Sequence, residues 1–369
     1  MNQLFRWDQT GLFLLALAAG ILPFAVPEVC AAALREGLTL CSGPLLLSLF
    51  PFLVVSRLLI QCPESGLLAL PFRLAAWGIG IRTPCAARVL CIGFLGGFAP
   101  AASAAAQAVR TGQLTAEEAD ALLPACICSG PSFVVLTVGQ SLLGSAELGV
   151  LLFASQITAN YLTAALLNRF AGVHSVKPGS AAPASPAPPR LDEILADAAI
   201  TYCKLCGFIL FFRMLAAGAG ALLPAGAGTL CAILLEVCSG CDLASRTGRW
   251  GSLLCCAALS VQGLSVLLQV RTICPPEMTL RPLYRARMLH LPLSLALFYL
   301  LLPGGEADVF STLPARVLLM RRVPPDCALL VFAVCCMAAC TLRSGIRQVE
   351  QKQMARNAGG CCINSKTLL

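Results

Sequence analysis

Charged residues are scarce in this sequence. Only 12% of the 369 residues are Asp, Glu, Lys or Arg, while 58% are hydrophobic. An ordinary soluble domain is about 25% charged and about 45–50% apolar, so this chain has too little polar surface to coat a water-soluble globule. The composition argues against a soluble enzyme, a nucleic-acid-binding protein and a disordered scaffold. It predicts an all-α polytopic membrane protein with room for about eight to ten membrane-embedded segments.

Motifs for catalysis and metal binding are also lacking. The sequence has no GxxxxGK[ST] phosphate loop, no GxSxG nucleophile turn and no HExxH zinc motif. Two CxxC pairs occur, at Cys203/Cys206 and Cys238/Cys241, but zinc ligation needs four convergent ligands. Most of the 21 cysteines lie inside apolar runs, where thiols behave as small hydrophobes. We therefore expect neither an enzyme nor a bound metal or cofactor.

The positive charges lie mostly at the ends of apolar runs. The formal net charge is +8, and bases at such positions orient helices and contact anionic lipid headgroups. The expected partner of these bases is the lipid bilayer, and no nucleic acid is expected. The sequence gives no oligomeric state.

Composition divides the chain into six parts. The predicted parts are an N-terminal span with an interfacial segment (1–39), a first repeat (40–170), a Pro/Ala/Ser-rich linker (171–190), a second repeat (191–302), a loop with a final span (303–342) and a basic tail (343–369). By the positive-inside tendency, the tail is expected to be cytoplasmic.

The two repeats carry the same features in the same order. Each has two apolar segments interrupted by small or polar residues, at 93–100 and 129–133 in the first repeat and at 235–240 and 261–265 in the second. Interrupted helices leave backbone groups unpaired, which a membrane tolerates only where protein or a water-lined cavity satisfies them. This pattern predicts a secondary transporter with two inverted structural repeats and broken helices. Close helix packing through small residues is the alternative.

The interruptions supply the candidate substrate-binding groups. A half-helix N-terminus offers unpaired N–H groups and the positive end of the helix dipole, which would suit the carboxylates of the anionic substrate that the family resemblance described below implies. The candidates are Gly97, Ser129, Gly130, Ser132, Gln262, Gly263 and Ser265. Arg287 is a further candidate, because guanidinium suits carboxylate recognition, although an arginine near a helix end can instead anchor a headgroup.

Glu236 is an acid deep in an apolar run. An intramembrane carboxylate is a functional hypothesis by default, so Glu236 is the candidate for coupling to a proton or a sodium ion. The alternative is a structural ion pair with Arg213 or Arg287. Both interpretations are kept.

Five motifs resemble those of the YlbJ (SpoVV) family of sporulation integral membrane proteins, which carry nucleoside-recognition or gate-type domains. The motifs are LFPFLVVSRLL (49–59), GGFAPAA (96–102), LTAEEADALLPACICSGPSFVVLTVG (114–139), LLEVCSG (234–240), and LSVQGLSVLLQV (259–270) followed by YRARMLH (284–290). The chain departs from the family pattern SGYPxGA at 96–102 and from FGGLS at 261–265.

The resemblance implies a fold similar to concentrative nucleoside carriers, with re-entrant hairpins in each repeat. It implies transport of dipicolinic acid across the forespore envelope and a place in a bacterial membrane, the outer forespore membrane. A nucleoside-type or other small-solute carrier, and a sporulation scaffold that transports nothing, are the alternatives.

Overall fold

The structure, a computed structural model, describes residues 9–61, 68–171 and 191–302. These residues form α-helices, one π-helix and one 3₁₀ turn, and no β-strand occurs among them. The all-α class predicted from composition is therefore confirmed for this part of the chain. Most of the predicted linker, the predicted final span and the basic tail lie outside the described residues.

Two N-terminal helices precede the repeats. Helix α1 (Gln9–Ala25) and helix α2 (Pro27–Ser42) meet at a bend of 109°. Pro27 begins α2, where its missing N–H leaves no hydrogen bond unmade. Helix α2 ends at Ser42 and the chain turns at Gly43, close to the predicted domain boundary at residue 40, which stays a prediction.

The two halves of the remaining chain have the same order of elements. The first half contains α3 (Pro44–Gln61), α4 (Leu70–Ile79), α5 (Pro84–Gly96), α6 (Phe98–Arg110), α7 (Ala116–Cys126), the π-helix (Ser132–Leu142) and α8 (Ala146–Ala171). The second half contains α9 (Leu191–Leu222), α10 (Ala225–Leu235), α11 (Val237–Ser245), α12 (Gly251–Val261), α13 (Gly263–Ile273) and α14 (Arg281–Leu301). Each half runs from a long helix through two interrupted helices to another long helix, and α4 is an addition in the first.

The four interruptions, numbered here as breaks 1 to 4, have separate local causes. Break 1 is Gly97, whose φ of +80° is readily adopted by glycine. Break 2 is the segment 127–131 between α7 and the π-helix. Break 3 is Glu236, which has an extended backbone between α10 and α11. Break 4 is Gln262, which has a φ of +62° between α12 and α13.

Helices α3 and α9 pack against each other and run antiparallel. The rings of Phe50 and Tyr202 lie 6.2 Å apart, with an edge-to-face tilt. Two turns further along α3, Arg57 Nη1 lies 2.5 Å from Asp197 Oδ2. Because residue numbers rise along α3 while they fall along α9, the first helices of the two halves point in opposite directions.

The sequence Thr-Ala-Glu-Glu at 115–118 has the Ser/Thr-x-x-Glu pattern that predicts a capping box, and Thr115 and Glu118 form one at the start of α7. The backbone N–H of Glu118 donates to Thr115 Oγ1 at 3.1 Å, and the backbone N–H of Thr115 donates to Glu118 Oε2 at 3.1 Å. These reciprocal bonds satisfy two donors that a helix N-terminus leaves unpaired. The prediction is confirmed.

Several helices are long and apolar enough to cross a membrane. Among the described residues they are Ala146–Ala171, Leu191–Leu222 and Gly248–Ile273, and the number rises to five if each of two sharply bent helix pairs is counted as one span. This fits a multi-pass membrane protein. Within the described residues the breaks divide several apolar runs into helices shorter than a span, and the predicted final span lies outside those residues, so the expectation of eight to ten embedded segments stays a prediction.

Candidate functional site

Breaks 1 and 2 of the first half lie against each other. A Cβ atom on Gly97 would lie 2.7 Å from the backbone nitrogen of Gly130 and 3.0 Å from its Cα. A side chain at residue 97 would therefore overlap the main chain of break 2. The predicted candidates Gly97 and Gly130 are thus neighbours, and their lack of side chains lets the two breaks touch.

Breaks 3 and 4 of the second half make the equivalent contact. Gly263 follows break 4 and has a φ of +68°. A Cβ atom on Gly263 would lie 2.9 Å from the backbone nitrogen of Glu236 and 2.9 Å from the carbonyl carbon of Leu235. In each half, one glycine with positive φ packs against the main chain of the other break.

Arg287 on α14 joins break 2 to the end of α12 beside break 4. Its Nη2 donates to the carbonyl of Ile127 in break 2, and its Nη1 donates at 3.4 Å to the carbonyl of Ser260, two residues before Gln262. The side chain is buried. The predicted SGPS and QGLS segments therefore follow two residues that bind the same guanidinium group.

The charge of Arg287 has no carboxylate partner within ion-pair distance among the described residues. Its Nε, also buried, has no hydrogen-bond partner there. Carbonyl oxygens supply partial negative charge but do not neutralise a guanidinium group. The arrangement leaves a buried cation beside two breaks, where a bound carboxylate would find both charge and a free donor.

Glu236 serves as the N-cap of α11. Its Oε1 accepts from the N–H of Cys238 at 2.8 Å, and its Oε2 accepts from the N–H of Ser239 at 2.7 Å and from Ser239 Oγ at 2.8 Å. The predicted alternative, an ion pair with Arg213 or Arg287, is not formed. Arg213 instead pairs with Glu36 at 2.7 Å, and Arg287 binds carbonyls.

The three predicted serines have different surroundings. Ser129 is buried in break 2, and Ser132 is exposed at the start of the π-helix. Ser265 is buried on α13, where its Oγ accepts from Gln269 Nε2 at 3.0 Å. The structure therefore does not present these serines as one equivalent set of donors.

Several buried polar atoms, among them those of Gln262 at break 4, lack a hydrogen-bond partner among the described residues. They are both amide atoms of Gln262, both amide atoms of Asn160, Gln269 Oε1, Thr163 Oγ1 and His290 Nδ1. A buried polar group left unpaired costs about 1–3 kcal/mol. A polar solute or ordered water would offset that cost, so the predicted candidate Gln262 is available to a ligand.

A buried hydrogen-bond network links α8, α12 and α14, and the sequence does not reveal it. Gln156 Nε2 donates to Ser260 Oγ at 2.9 Å, and Ser260 Oγ lies 2.5 Å from Ser294 Oγ. His290 Nε2 lies 3.2 Å from the carbonyl of Gln156. These contacts hold α14, and with it Arg287, against both halves of the molecule. The sequence pattern that could have indicated this network is polar residues spaced four apart within apolar runs.

Asp120 on α7 fixes the start of α14. Its Oδ2 accepts from the N–H of Thr279 at 2.8 Å and from Thr279 Oγ1 at 2.6 Å, and its Oδ1 accepts from the N–H of Leu280 at 3.1 Å. Leu280 caps α14 with a φ of +56°, a conformation that few side chains adopt. Asp120 thereby helps to position Arg287 two turns later.

The described cysteines are free thiols, most of them buried. Within residues 9–61, 68–171 and 191–302, no group of three or more His, Cys, Asp or Glu side chains could hold a metal ion.

The chain matches no known protein-family model, no curated protein and no solved structure. Its likeness to the YlbJ family is carried by the five sequence motifs and stays a prediction.

Proposed function

We propose that this protein is a secondary transporter of a small anionic solute. The observation that carries the proposal is the buried guanidinium of Arg287, which contacts break 2 of the first half and the end of α12 beside break 4 of the second, without a carboxylate partner among the described residues. Ionisable groups buried in membrane proteins are expensive and mark substrate or ion pathways. A carboxylate of the substrate would supply the missing counter-charge.

Inverted repeats are part of the proposal, and three features support them. The element order is the same in both halves, and the leading helices α3 and α9 run antiparallel. Contacts across the halves are also reciprocal, because α6 packs on α13 while its counterpart α11 packs on the π-helix, the counterpart of α13. A two-fold relation between inverted halves produces such reciprocal contacts, with the site at their interface.

Dipicolinate is the substrate that the motif resemblance implies, and its chemistry suits the site. It is a planar dianion with a pyridine nitrogen. One carboxylate would bind Arg287, and the unpartnered amide groups of Gln262 and Asn160 could donate to the remaining acceptors. By the same resemblance, we propose that the protein lies in the outer forespore membrane and works on the forespore envelope.

A proton or sodium ion is the proposed coupling ion, with Glu236 as its site. Binding of a cation by the Glu236 carboxylate would compete with the bonds that it accepts from the N–H groups of Cys238 and Ser239. Because these bonds define break 3, and break 3 touches Gly263 of break 4, their loss would alter both breaks of the second half. The contacts by which Glu236 caps α11 would then also couple ion binding to the conformation of the breaks.

A neutral polar solute, such as a nucleoside, is the second candidate. The observation that favours it is the set of unpartnered amide and hydroxyl groups, which suit neutral donors and acceptors better than charges. A membrane scaffold that transports nothing is less well supported, because a scaffold has no need of irregular backbone in the interior.

Uptake into proteoliposomes tests the proposal. Purified protein is reconstituted and given labelled dipicolinate, with and without an imposed pH or sodium gradient. We expect uptake above that of protein-free vesicles, competition by unlabelled dipicolinate and none by uridine. Uptake of labelled uridine with no uptake of dipicolinate would favour the neutral solute, and no uptake of either would favour the scaffold.

A further inference from the structure

A polar cavity lies between the first and second halves, and Arg287 is not among the residues that line it. It has a volume of about 150 Å³ and lies among α3 and α6 of the first half and α9 and α13 of the second. Its polar lining includes Arg57, Arg110, Lys204, Asp197, Thr201 and Thr272. Three cations and one carboxylate line this space, so its charge is positive.

The cavity lies toward one end of the helix bundle. Arg110 is the last residue of α6, Ile273 is the last of α13, and Asp197 lies in the second turn of α9. Asp197, Arg110 and Lys204 are exposed, so the cavity opens to the surface of the described part of the chain.

Arg57 is buried and held by neighbouring hydroxyl groups. Its Nε donates to Ser103 Oγ at 3.3 Å, and its Nη2 donates to Thr201 Oγ1 at 3.3 Å. The remaining nitrogen, Nη1, binds Asp197 Oδ2 at 2.5 Å. The guanidinium plane is thus fixed before any ligand arrives, which lowers the ordering cost of binding.

The carboxylate that occupies Arg57 can be displaced. The side chain of Asp197 is 61% exposed, whereas that of Arg57 is 10% exposed. Solvent screens the attraction between the exposed carboxylate of Asp197 and Arg57, which favours exchange of this carboxylate for another anion. An incoming anion would exchange one carboxylate for another on Arg57 and would gain contact with Arg110 and Lys204 as well.

We propose that this cavity is a binding site for small carboxylates, at which Asp197 competes with the ligand for Arg57. The part of this inference that makes the cavity an entry site to the breaks rests on the proposed function. The binding itself requires no transport. The ligand class is a mono- or dicarboxylate small enough to enter the cavity, and dipicolinate is the probe.

The structure offers a matched control. Arg213 on α9 pairs with Glu36 at 2.7 Å, with side-chain exposures of 12% and 65% that nearly repeat those of Arg57 and Asp197. Arg213 lies 16 residues beyond Asp197 on α9, which corresponds to about 24 Å along the helix. Asp197→Asn and Glu36→Gln therefore change the net charge equally and differ in location.

Binding of dipicolinate to the purified full chain in detergent is measured by calorimetry at low salt. We expect Asp197→Asn to lower the dissociation constant about three- to tenfold, and Glu36→Gln to leave it unchanged. Arg110→Gln and Lys204→Gln, both at exposed residues, should raise it, and Arg57→Gln should raise it most. Equal effects of Asp197→Asn and Glu36→Gln, or no effect of Asp197→Asn, would overturn the proposal.

Arg287→Gln separates this inference from the proposed function. We expect Arg287→Gln to lose dipicolinate uptake. When Asp197→Asn is added to this variant, dipicolinate should still bind more tightly. If Arg287→Gln does not fold, the comparison of Asp197→Asn with Glu36→Gln in the otherwise unaltered chain still tests whether the cavity binds dipicolinate. Inorganic phosphate is the second probe, and binding of phosphate as tight as that of dipicolinate would overturn the assignment to carboxylates.

Discussion

Arg287 on α14 donates a hydrogen bond to the carbonyl of Ile127, the residue at which α7 gives way to break 2. The same guanidinium reaches the carbonyl of Ser260 near the end of α12. One side chain from the last described helix therefore connects an interrupted helix of each half. The predictions below follow from that connection and from the residues that hold it.

The first prediction concerns the glycines at the breaks. Gly97→Ala and Gly263→Ala should each lower the melting temperature by several degrees, because a Cβ would overlap the opposing main chain and positive φ costs about 1–2 kcal/mol for an alanine. Gly207→Ala, where no atom lies within 4 Å of the added carbon, is the control. Equal melting temperatures for all three variants would contradict the packing of the breaks.

The second prediction separates ligand groups from structural ones. Asn160→Leu should raise thermal stability in the absence of substrate, because it removes a buried amide without partners, and should weaken dipicolinate binding. Gln156→Leu should lower stability, because its amide donates to Ser260. Melting curves with and without dipicolinate measure both effects. Loss of stability in Asn160→Leu would show that Asn160 has a structural role.

The third prediction concerns Glu236. Glu236→Gln should lower stability by about 0.5–2 kcal/mol, because an amide cannot accept all three of the hydrogen bonds at this cap. It should also abolish gradient-driven accumulation while exchange of dipicolinate persists. Glu117→Gln, at an exposed acid in the first turn of α7, is the control. Normal gradient-driven accumulation by Glu236→Gln would show that Glu236 caps α11 but does not couple transport to an ion.

The fourth prediction concerns Asp120, which positions α14. Asp120→Asn should lower stability by about 1–3 kcal/mol, because an amide cannot accept from both Thr279 and Leu280 as the carboxylate does. Asp242→Asn, which breaks the exposed i,i+4 pair with Arg246, should change stability little. Thermal or denaturant unfolding of the two variants compares them directly. The same stability in both variants would contradict the positioning role.

The positions of the breaks could be predicted because their causes are local. Glycine with positive φ, as at residues 97 and 263, and the small and polar residues around break 2 leave a signature in the sequence. The capping box at Thr115 is local for the same reason. The close contact of Gly263 with the main chain of Glu236 could not be predicted, because the two residues are distant in sequence.

The partners of the charged residues could not be predicted, because they depend on contacts distant in sequence. Arg287 and Ile127 are 160 residues apart, and Arg57 and Asp197 are 140 apart. The periodicity of a helical run predicts which face of the helix carries a residue. It does not predict which distant residue packs against that face. Glu236 forms no ion pair with Arg213 or Arg287, the alternative that the sequence left open, because its own helix N-terminus supplies its donors.

The most direct test of the transport site is uptake of labelled dipicolinate by proteoliposomes that contain the Arg287→Gln protein. Arg246→Gln, which removes an exposed arginine paired with Asp242, is reconstituted beside it at equal density. A site at Arg287 predicts that Arg287→Gln, folded by circular dichroism, loses at least about tenfold in uptake, while Arg246→Gln transports like the unaltered chain. Undiminished uptake by Arg287→Gln would contradict it.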